Sequence, residues 1–131
     1  MTSASATETS EPLLLLEGIN TYYGQMHILQ DVNLQVAEGE LVCLLGGNAS
    51  GKSTTLKTIL GIVPPRSGSV VLSGENVTRF TTARRIERGM AIVPENRRLF
   101  GPMTVLENLE MGAYLRPRAD LSEDLDRVYS L

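Results

Sequence analysis

One short stretch of the chain combines glycines, a lysine and hydroxyl side chains at a spacing suited to phosphate chemistry. It fits the pattern G-x-x-x-x-G-K-[ST] and comprises Gly46, Gly47, Asn48, Ala49, Ser50, Gly51, Lys52 and Ser53. Glycines let a backbone turn tightly and approach an anion without a Cβ in the way, and successive N–H groups can then surround the anion. Lys52 would add a mobile positive charge at the β- and γ-phosphates, and the Ser53 hydroxyl could ligate Mg²⁺. The sequence therefore predicts a loop that binds the phosphates of a nucleotide.

The residues on either side of this loop predict the strand and the helix that it requires. The apolar run from Leu41 to Leu45 ends directly before Gly46 and has the composition of a strand covered on both faces. After the loop, apolar residues recur at the spacing of one helix face, namely Leu56, Ile59, Leu60 and Val63. That helix would turn the positive end of its dipole towards a bound phosphate. The alternative, a glycine turn with no ligand, is disfavoured because every fixed position of the pattern is occupied.

Further strands and helices follow from periodicity and from turn residues. Short apolar runs bounded by glycine, asparagine or proline predict strands at 13–19, 28–36, 69–73 and 90–93. Helices are predicted at 82–88, from 104 to about 115, and from 121 onwards. Thr104 and Glu107 have the spacing of a capping box, in which each side chain bonds the other residue's backbone N–H.

The composition is that of a globular chain and excludes several classes of function. Of 131 residues, 42% are hydrophobic and 21% are charged, which argues against a disordered, collagen-like or polytopic membrane protein. The net charge of −3 argues against a dedicated nucleic-acid binder. Residues 52–98 nevertheless carry nine basic and three acidic side chains, whose plainest interpretation is a solvated basic surface. A single cysteine, Cys43, and a single histidine, His27, exclude an internal disulfide and a metal site with two histidine ligands.

The first residues and the apolar runs bear on where the protein works. Residues 1–12 are rich in Ser, Thr, Ala and Glu, and we expect a disordered leader and not a secretory signal. The apolar runs are far shorter than the ~18 residues that a membrane span needs. The sequence therefore predicts a soluble, cytoplasmic chain.

Residues 91–114 carry a second pattern, which points to a known family. It reads AIVPENRRLF at 91–100, MTVLENL at 103–109 and MGAY at 111–114. With the phosphate loop, these segments resemble the ATP-binding subunits of ABC transporters, and more narrowly those that energise branched-chain amino-acid uptake. The resemblance runs from about residue 13 to residue 131. It implies an α/β P-loop NTPase fold with an N-terminal antiparallel β subdomain and a helical subdomain that begins near residue 100.

The resemblance also implies roles for single residues. Glu95 stands at the position called the Q-loop, which senses Mg²⁺ and the attacking water; a carboxylate suits this role because Mg²⁺ prefers oxygen ligands. A solvated acid after a strand is the alternative for Glu95. Tyr23, next to Gly24, resembles the aromatic residue that stacks on adenine, with Tyr22 as the alternative, although a half-buried tyrosine pair on a strand edge would look the same. Thr54, directly after Ser53, is included among the nucleotide-binding residues.

The function implied by the resemblance is ATP binding and hydrolysis that energises amino-acid import, with ATP and Mg²⁺ as ligands. The implied partners are membrane permease subunits and a second ATP-binding subunit, with no nucleic acid, at the cytoplasmic face of the inner membrane. No segment resembles the family's signature motif, Walker B carboxylates or switch histidine. We therefore expect residues 13–131 to be part of a longer nucleotide-binding domain and to be inactive in hydrolysis alone.

Two other classes of function remain open from the sequence. The chain could be a non-catalytic nucleotide-binding or permease-interaction module. It could also be a different P-loop enzyme, such as a small kinase. The kinase ranks last because it would have no reason to carry the pattern at 95–114.

Overall fold

The computed structural model describes residues 11–117 and 121–131 of the chain. The chain divides into two compact units after Met90. The leader predicted at 1–12 lies almost wholly outside the described residues. Within the described parts of the chain, no helix is long and apolar enough to cross a membrane.

The first unit is built on an antiparallel sheet of four strands. Strand β1 spans Leu14–Tyr23, β2 spans Met26–Val36, β3 spans Ser67–Leu72 and β4 spans Glu75–Asn76. Their order, β2-β1-β3-β4, places β1 in the interior of the sheet, where it pairs with β2 on one side and β3 on the other. The predicted N-terminal antiparallel β subdomain is therefore confirmed, as are the strands predicted at 13–19, 28–36 and 69–73.

Two helices belong to the same unit, and its core explains how the first of them is held on the sheet. Helix α1 spans Lys52–Ile59 and helix α2 spans Thr82–Glu87. The buried apolar cluster draws on β1, β2, β3 and the segment after β4, and consists of Leu16, Ile19, Leu29, Val70 and Val77. Ile59, the last residue of α1, packs against this cluster. The core therefore fixes the helix that follows the phosphate loop.

The face of α1 that is buried differs from the predicted one. Leu60 is buried as expected, but Leu56 is 49% exposed, and the buried residues within the helix are Thr54, Thr55 and Thr58. The Thr55 hydroxyl donates to the carbonyl oxygen of Gly51 at 2.9 Å, and the Thr58 hydroxyl pairs with that of Thr21 on β1 at 3.2 Å. Because these hydroxyls are hydrogen-bonded inside the unit, they can be buried at little cost.

Two predicted strands are wrong. Residues 41–45 and 90–93 have no regular secondary structure, and Leu41, Leu45 and Val93 are 89%, 92% and 95% exposed. A strand exists only where a neighbour supplies the partners for its ladder of hydrogen bonds. None of the described strands pairs with these two segments. An apolar run therefore indicates a covered strand only when neighbouring strands are in place to cover it.

The second unit contains two helices, α3 over Val105–Gly112 and α4 over Leu121–Tyr129. The capping box of α3 is confirmed, because the Thr104 N–H donates to the Glu107 carboxylate at 2.7 Å and the Glu107 N–H donates to the Thr104 hydroxyl at 3.2 Å. Helix α3 ends at Gly112, three residues before the predicted end. The predicted helix from 121 onwards is confirmed as α4.

Candidate functional site

The glycine-rich loop leads directly into α1. Its last glycine, Gly51, has a backbone conformation that other residues adopt only with strain. Gly51 is the N-cap of α1 and has a left-handed backbone with φ of 90°. A Cβ at this position would lie 2.9 Å from Cδ2 of Leu29 on β2. Ala49 also has a positive φ, 63°, which an alanine adopts at some cost. The loop is therefore a tight, partly strained turn that lies against the sheet.

The first turn of α1 differs from those of α2 and α3 in having no side-chain cap. Thr81 accepts the N–H of Arg84 at the start of α2, and Thr104 caps α3 in the same way. At α1 the N-cap is Gly51, which has no side chain, and no side-chain bond caps the helix. The N–H groups of the first turn are thus available to an anion, which the helix dipole also favours.

The Lys52 side chain folds back over the loop. Its ammonium group donates to the carbonyl oxygens of Gly46 and Gly47, the latter at 2.7 Å, and lies 3.4 Å from the Ser50 hydroxyl. The loop carbonyls therefore hold the positive charge at the centre of the turn. A phosphate on the N–H groups of α1 would meet this charge directly, so the loop has the chemistry of an anion site.

The two residues predicted to bind Mg²⁺, Ser53 and Glu95, belong to different units of the chain. Ser53, in the first turn of α1, is exposed. Within residues 11–117 and 121–131, no three His, Cys, Asp or Glu side chains lie close enough to hold a metal ion. Mg²⁺ keeps several waters and is usually held by one or two protein oxygens together with substrate phosphates. The Ser53 hydroxyl is suited to this mode as one protein oxygen beside the phosphates of a nucleotide.

Glu95 belongs to the second unit and precedes an unusual stretch of backbone. The next three residues, Asn96, Arg97 and Arg98, have positive φ values of 64°, 56° and 41°. Such values are uncommon for residues other than glycine. Glu95 itself is exposed and lies outside any helix or strand. Its carboxylate is therefore accessible on a loop, as a ligand or a solvated acid would be.

The two tyrosines before Gly24 have different surroundings. The Tyr22 ring stacks on His27, with 4.1 Å between ring centres, and the Arg66 guanidinium lies 3.9 Å from the centre of the same ring. Two groups so close to one ring centre must cover opposite faces, so Tyr22 has no face left for a base. Tyr23 is 44% exposed. Of the two, Tyr23 is the one with surface available for stacking.

Tyr23 and the phosphate loop lie towards the same end of the β1–β2 hairpin. Gly51 lies beside Leu29, and Tyr23 pairs with Met26, three residues away along β2. At ~3.3 Å per residue, this separation along the strand is about 10 Å. The strand position opposite Tyr23 and the strand position beside Gly51 are therefore close to one another on β2.

Arg85, on α2 of the first unit, has a structural role that the sequence did not predict. It is completely buried on α2, and its guanidinium donates four hydrogen bonds to backbone carbonyl oxygens of Thr58, Ile59, Thr78 and Phe80. Burial lowers the pKa of Arg85, but an arginine stays protonated at neutral pH. Its neighbours Arg84 and Arg88 are exposed, as the predicted basic surface requires. No feature of the sequence distinguishes the buried arginine from these two.

Comparisons with known proteins place the chain among its relatives. A family model described as ABC transporter matches residues 29–130. The high-affinity branched-chain amino acid transport ATP-binding protein BraG of Pseudomonas aeruginosa is 38% identical over 119 residues, which are 91% of this chain and 51% of BraG. A sulfate/thiosulfate import ATP-binding protein of Shewanella oneidensis is 37% identical over 119 residues, which cover 88% of this chain and 33% of that protein.

The fold has solved counterparts. The structure of an ATP-binding subunit of an ABC transporter matches with a TM-score of 0.72 and 33% identity, and covers 85% of this chain and 46% of that chain. The chain therefore spans about half the length, or less, of BraG, the sulfate/thiosulfate import protein and this solved subunit.

Proposed function

This chain belongs to the ABC transporter family of ATP-binding proteins, and we propose that its phosphate loop binds the ATP that energises solute import. The observation that carries the proposal is the uncapped first turn of α1 beside the Lys52 ammonium. Backbone N–H groups, a helix dipole and a lysine then converge on one anion. Membership of the ABC transporter family supports the phosphates of ATP as this anion.

On this proposal, each part of the loop has a distinct task. Gly51 lets the chain turn into α1 with its N–H groups directed at the phosphates, and Asn48, Ala49 and Ser50 shape the turn before it. Lys52 exchanges its bonds to loop carbonyls for bonds to phosphate oxygens. This exchange keeps the aliphatic part of the side chain in place while moving only the ammonium group. Ser53 and Thr54 complete the first turn.

Mg²⁺ bound with ATP would neutralise part of the phosphate charge. We propose that the Ser53 hydroxyl supplies one oxygen for it. For Glu95 we propose only the role of Mg²⁺ sensor that the family resemblance implies for its position. The support for Ser53 is its place in the first turn of α1, and the support for Glu95 is its position in the pattern at 91–114.

Tyr23 is the residue we propose to stack on adenine. Its exposure and the occupied faces of Tyr22 support this choice. Stacking on an aromatic ring tolerates many orientations, so it would add affinity without demanding close positioning.

Branched-chain amino acids are the solute we propose, and the support is BraG together with the pattern at 91–114. A sulfate/thiosulfate import protein has nearly the same sequence identity to this chain, 37%. The choice of branched-chain amino acids is therefore more specific than membership of the family. Membrane permease subunits and a second ATP-binding subunit are the proposed partners, at the cytoplasmic face of the inner membrane. Co-purification with a branched-chain permease, and not with a sulfate permease, would support the solute assignment.

Calorimetric titration with ATP and Mg²⁺ tests the phosphate loop. We expect saturable binding by the natural chain and none detectable by Lys52→Ala. Lys57→Ala is the matched control, because Lys57 is an exposed lysine in the last turn of the same helix. Equal binding by the natural chain and Lys52→Ala would overturn the assignment of the loop.

A further inference from the structure

Arg85 joins three parts of the first unit that are far apart in the sequence. It lies on α2, yet its Nη1 donates to the carbonyl oxygens of Thr58 at 2.9 Å and Ile59 at 2.6 Å, the last two residues of α1. Its Nη2 donates to Thr78 at 2.9 Å and its Nε to Phe80 at 3.2 Å. One side chain therefore ties the end of α1 to the segment between β4 and α2.

The chemistry of this contact suits the end of a helix. The last carbonyls of an α-helix have no partner within the helix, and they carry the negative end of its dipole. The Gly61 N–H donates to the Thr58 carbonyl oxygen at 3.1 Å, and the Arg85 guanidinium adds a second donor to Thr58, a donor to Ile59 and a positive charge. Gly61 leaves room for it, since a Cβ at Gly61 would lie 2.8 Å from the Arg85 Nε. The described residues show no carboxylate paired with Arg85, so the carbonyls alone hold the buried charge.

The other end of the same helix is the phosphate site. Helix α1 has eight residues and is about 12 Å long at ~1.5 Å per residue. A helix this short moves as one body, so a shift at Ile59 moves Gly51 and Lys52 as well. The Gly51 position leaves little tolerance, because it lies directly against Leu29.

We propose that Arg85 is a positioning residue for ATP binding: by holding the carboxyl end of α1, it sets where the phosphate loop at the opposite end lies. The inference rests on the proposed function of the loop. Arg85 does not touch the ligand and acts through the helix.

ATP binding by Arg85→Ala tests this assignment. Titration of the natural chain with ATP and Mg²⁺ gives the reference affinity. Arg85→Ala should bind about tenfold more weakly, within the range usual for coupling between two sites. Millimolar guanidinium ion should restore part of the affinity by occupying the vacated position.

Arg84→Ala is the matched control, because it removes one positive charge from the same helix at an exposed position. It should keep the natural affinity and should not respond to guanidinium.

Each other outcome has a definite meaning. A folded Arg85→Ala variant with the natural affinity overturns the inference, as does an affinity loss that Arg84→Ala shares and guanidinium does not relieve. Absence of binding by the natural chain, or equal binding by Lys52→Ala, would instead remove the proposed function and the inference with it.

A second measurement decides the matter if Arg85→Ala does not fold. The Nε–H of Arg85 is buried and hydrogen-bonded, so its NMR signal is separate from those of exposed arginines. We expect ATP to shift this signal in the natural chain but not in Lys52→Ala. An unchanged Arg85 signal at saturating ATP would refute the coupling.

Discussion

Gly51 shows how much of the candidate site depends on a single residue. Its backbone is left-handed, and the space beside it is filled by Leu29. Gly47, four residues earlier in the same loop, has no atom within 4 Å of the position that a Cβ would take. Two glycines of one motif therefore have different physical reasons to be there.

Gly51→Ala should lower the free energy of unfolding by about 1–2 kcal/mol, because alanine must adopt a left-handed backbone and displace Leu29. Urea unfolding followed by circular dichroism measures the change. Gly47→Ala serves as the control for stability and should stay within about 0.5 kcal/mol of the natural chain. Equal stability of the two variants would contradict the strain argued for Gly51.

Tyr23 and Tyr22 make a second comparison between adjacent residues. Tyr23→Leu should weaken ATP binding by about 2- to 10-fold, the equivalent of ~0.5–1.5 kcal/mol for one aromatic stack. Affinity for inorganic tripolyphosphate should not change, since it has no base to stack.

Tyr22→Leu decides between the two tyrosines. It breaks the contacts with His27 and Arg66, so it should reduce stability and leave ATP affinity as it was. If Tyr22→Leu alone lowered ATP affinity, the assignment of the adenine contact would pass to Tyr22.

At the level of elements, α1 is held on the sheet by polar contacts as well as by apolar packing. The buried hydroxyls of Thr21 and Thr58 join β1 to α1 at 3.2 Å, and the carbonyl oxygen of the same Thr58 accepts from Arg85. The helix is thus fixed from the sheet below and from α2 beside its end. Threonine at position 58 costs some helix propensity, which its hydrogen bonds offset.

Thr58→Val tests the contact between β1 and α1. Removing one hydroxyl leaves that of Thr21 buried without its partner, so we expect a loss of about 1–3 kcal/mol in the free energy of unfolding. The double variant Thr21→Val with Thr58→Val should lose less than the sum of the two single changes, because no unpaired hydroxyl remains. Strict additivity in this double-mutant cycle would show that the hydroxyls do not interact.

At the scale of the whole molecule, the two units differ in how far their apolar side chains are buried. The first has a buried apolar cluster, but Leu41 and Leu45 in the segment before its phosphate loop are almost fully exposed. In the second unit, neither α3 nor α4 has a buried residue. Exposed apolar side chains in a row favour association with other surfaces.

Leu45→Lys should reduce self-association of the chain, because it places a charge in this apolar run. Sedimentation velocity over a range of concentrations measures the effect. Gln25→Lys adds the same charge at an exposed polar position in the β1–β2 turn and should change association little. Identical behaviour of both variants would mean that net charge, and not the apolar segment, governs association.

Local patterns in the sequence were sufficient for the features that depend on neighbouring residues. The glycine-rich turn into α1, the capping box of Thr104 and Glu107 and the first three strands of the antiparallel sheet all follow from spacing within about ten residues, whereas β4 was not predicted as a strand. Hydrogen bonds and side-chain periods of that length are set by backbone geometry, which the sequence specifies directly. The family resemblance rests on the same short patterns and is confirmed by the family match.

Only the tertiary structure distinguished residues that look alike in the chain. It buried Arg85 and exposed Arg84, covered both faces of Tyr22 but not of Tyr23, and buried threonines of α1 while exposing Leu56. It also left residues 41–45 without a strand. In each case the deciding partner is distant in sequence. Arg85 binds carbonyl oxygens at the end of α1, and Tyr22 contacts the Arg66 guanidinium. Thr58 pairs with the Thr21 hydroxyl on β1, and residues 41–45 have no neighbouring strand among those described. Burial and pairing are properties of such contacts, so composition and periodicity could not determine them.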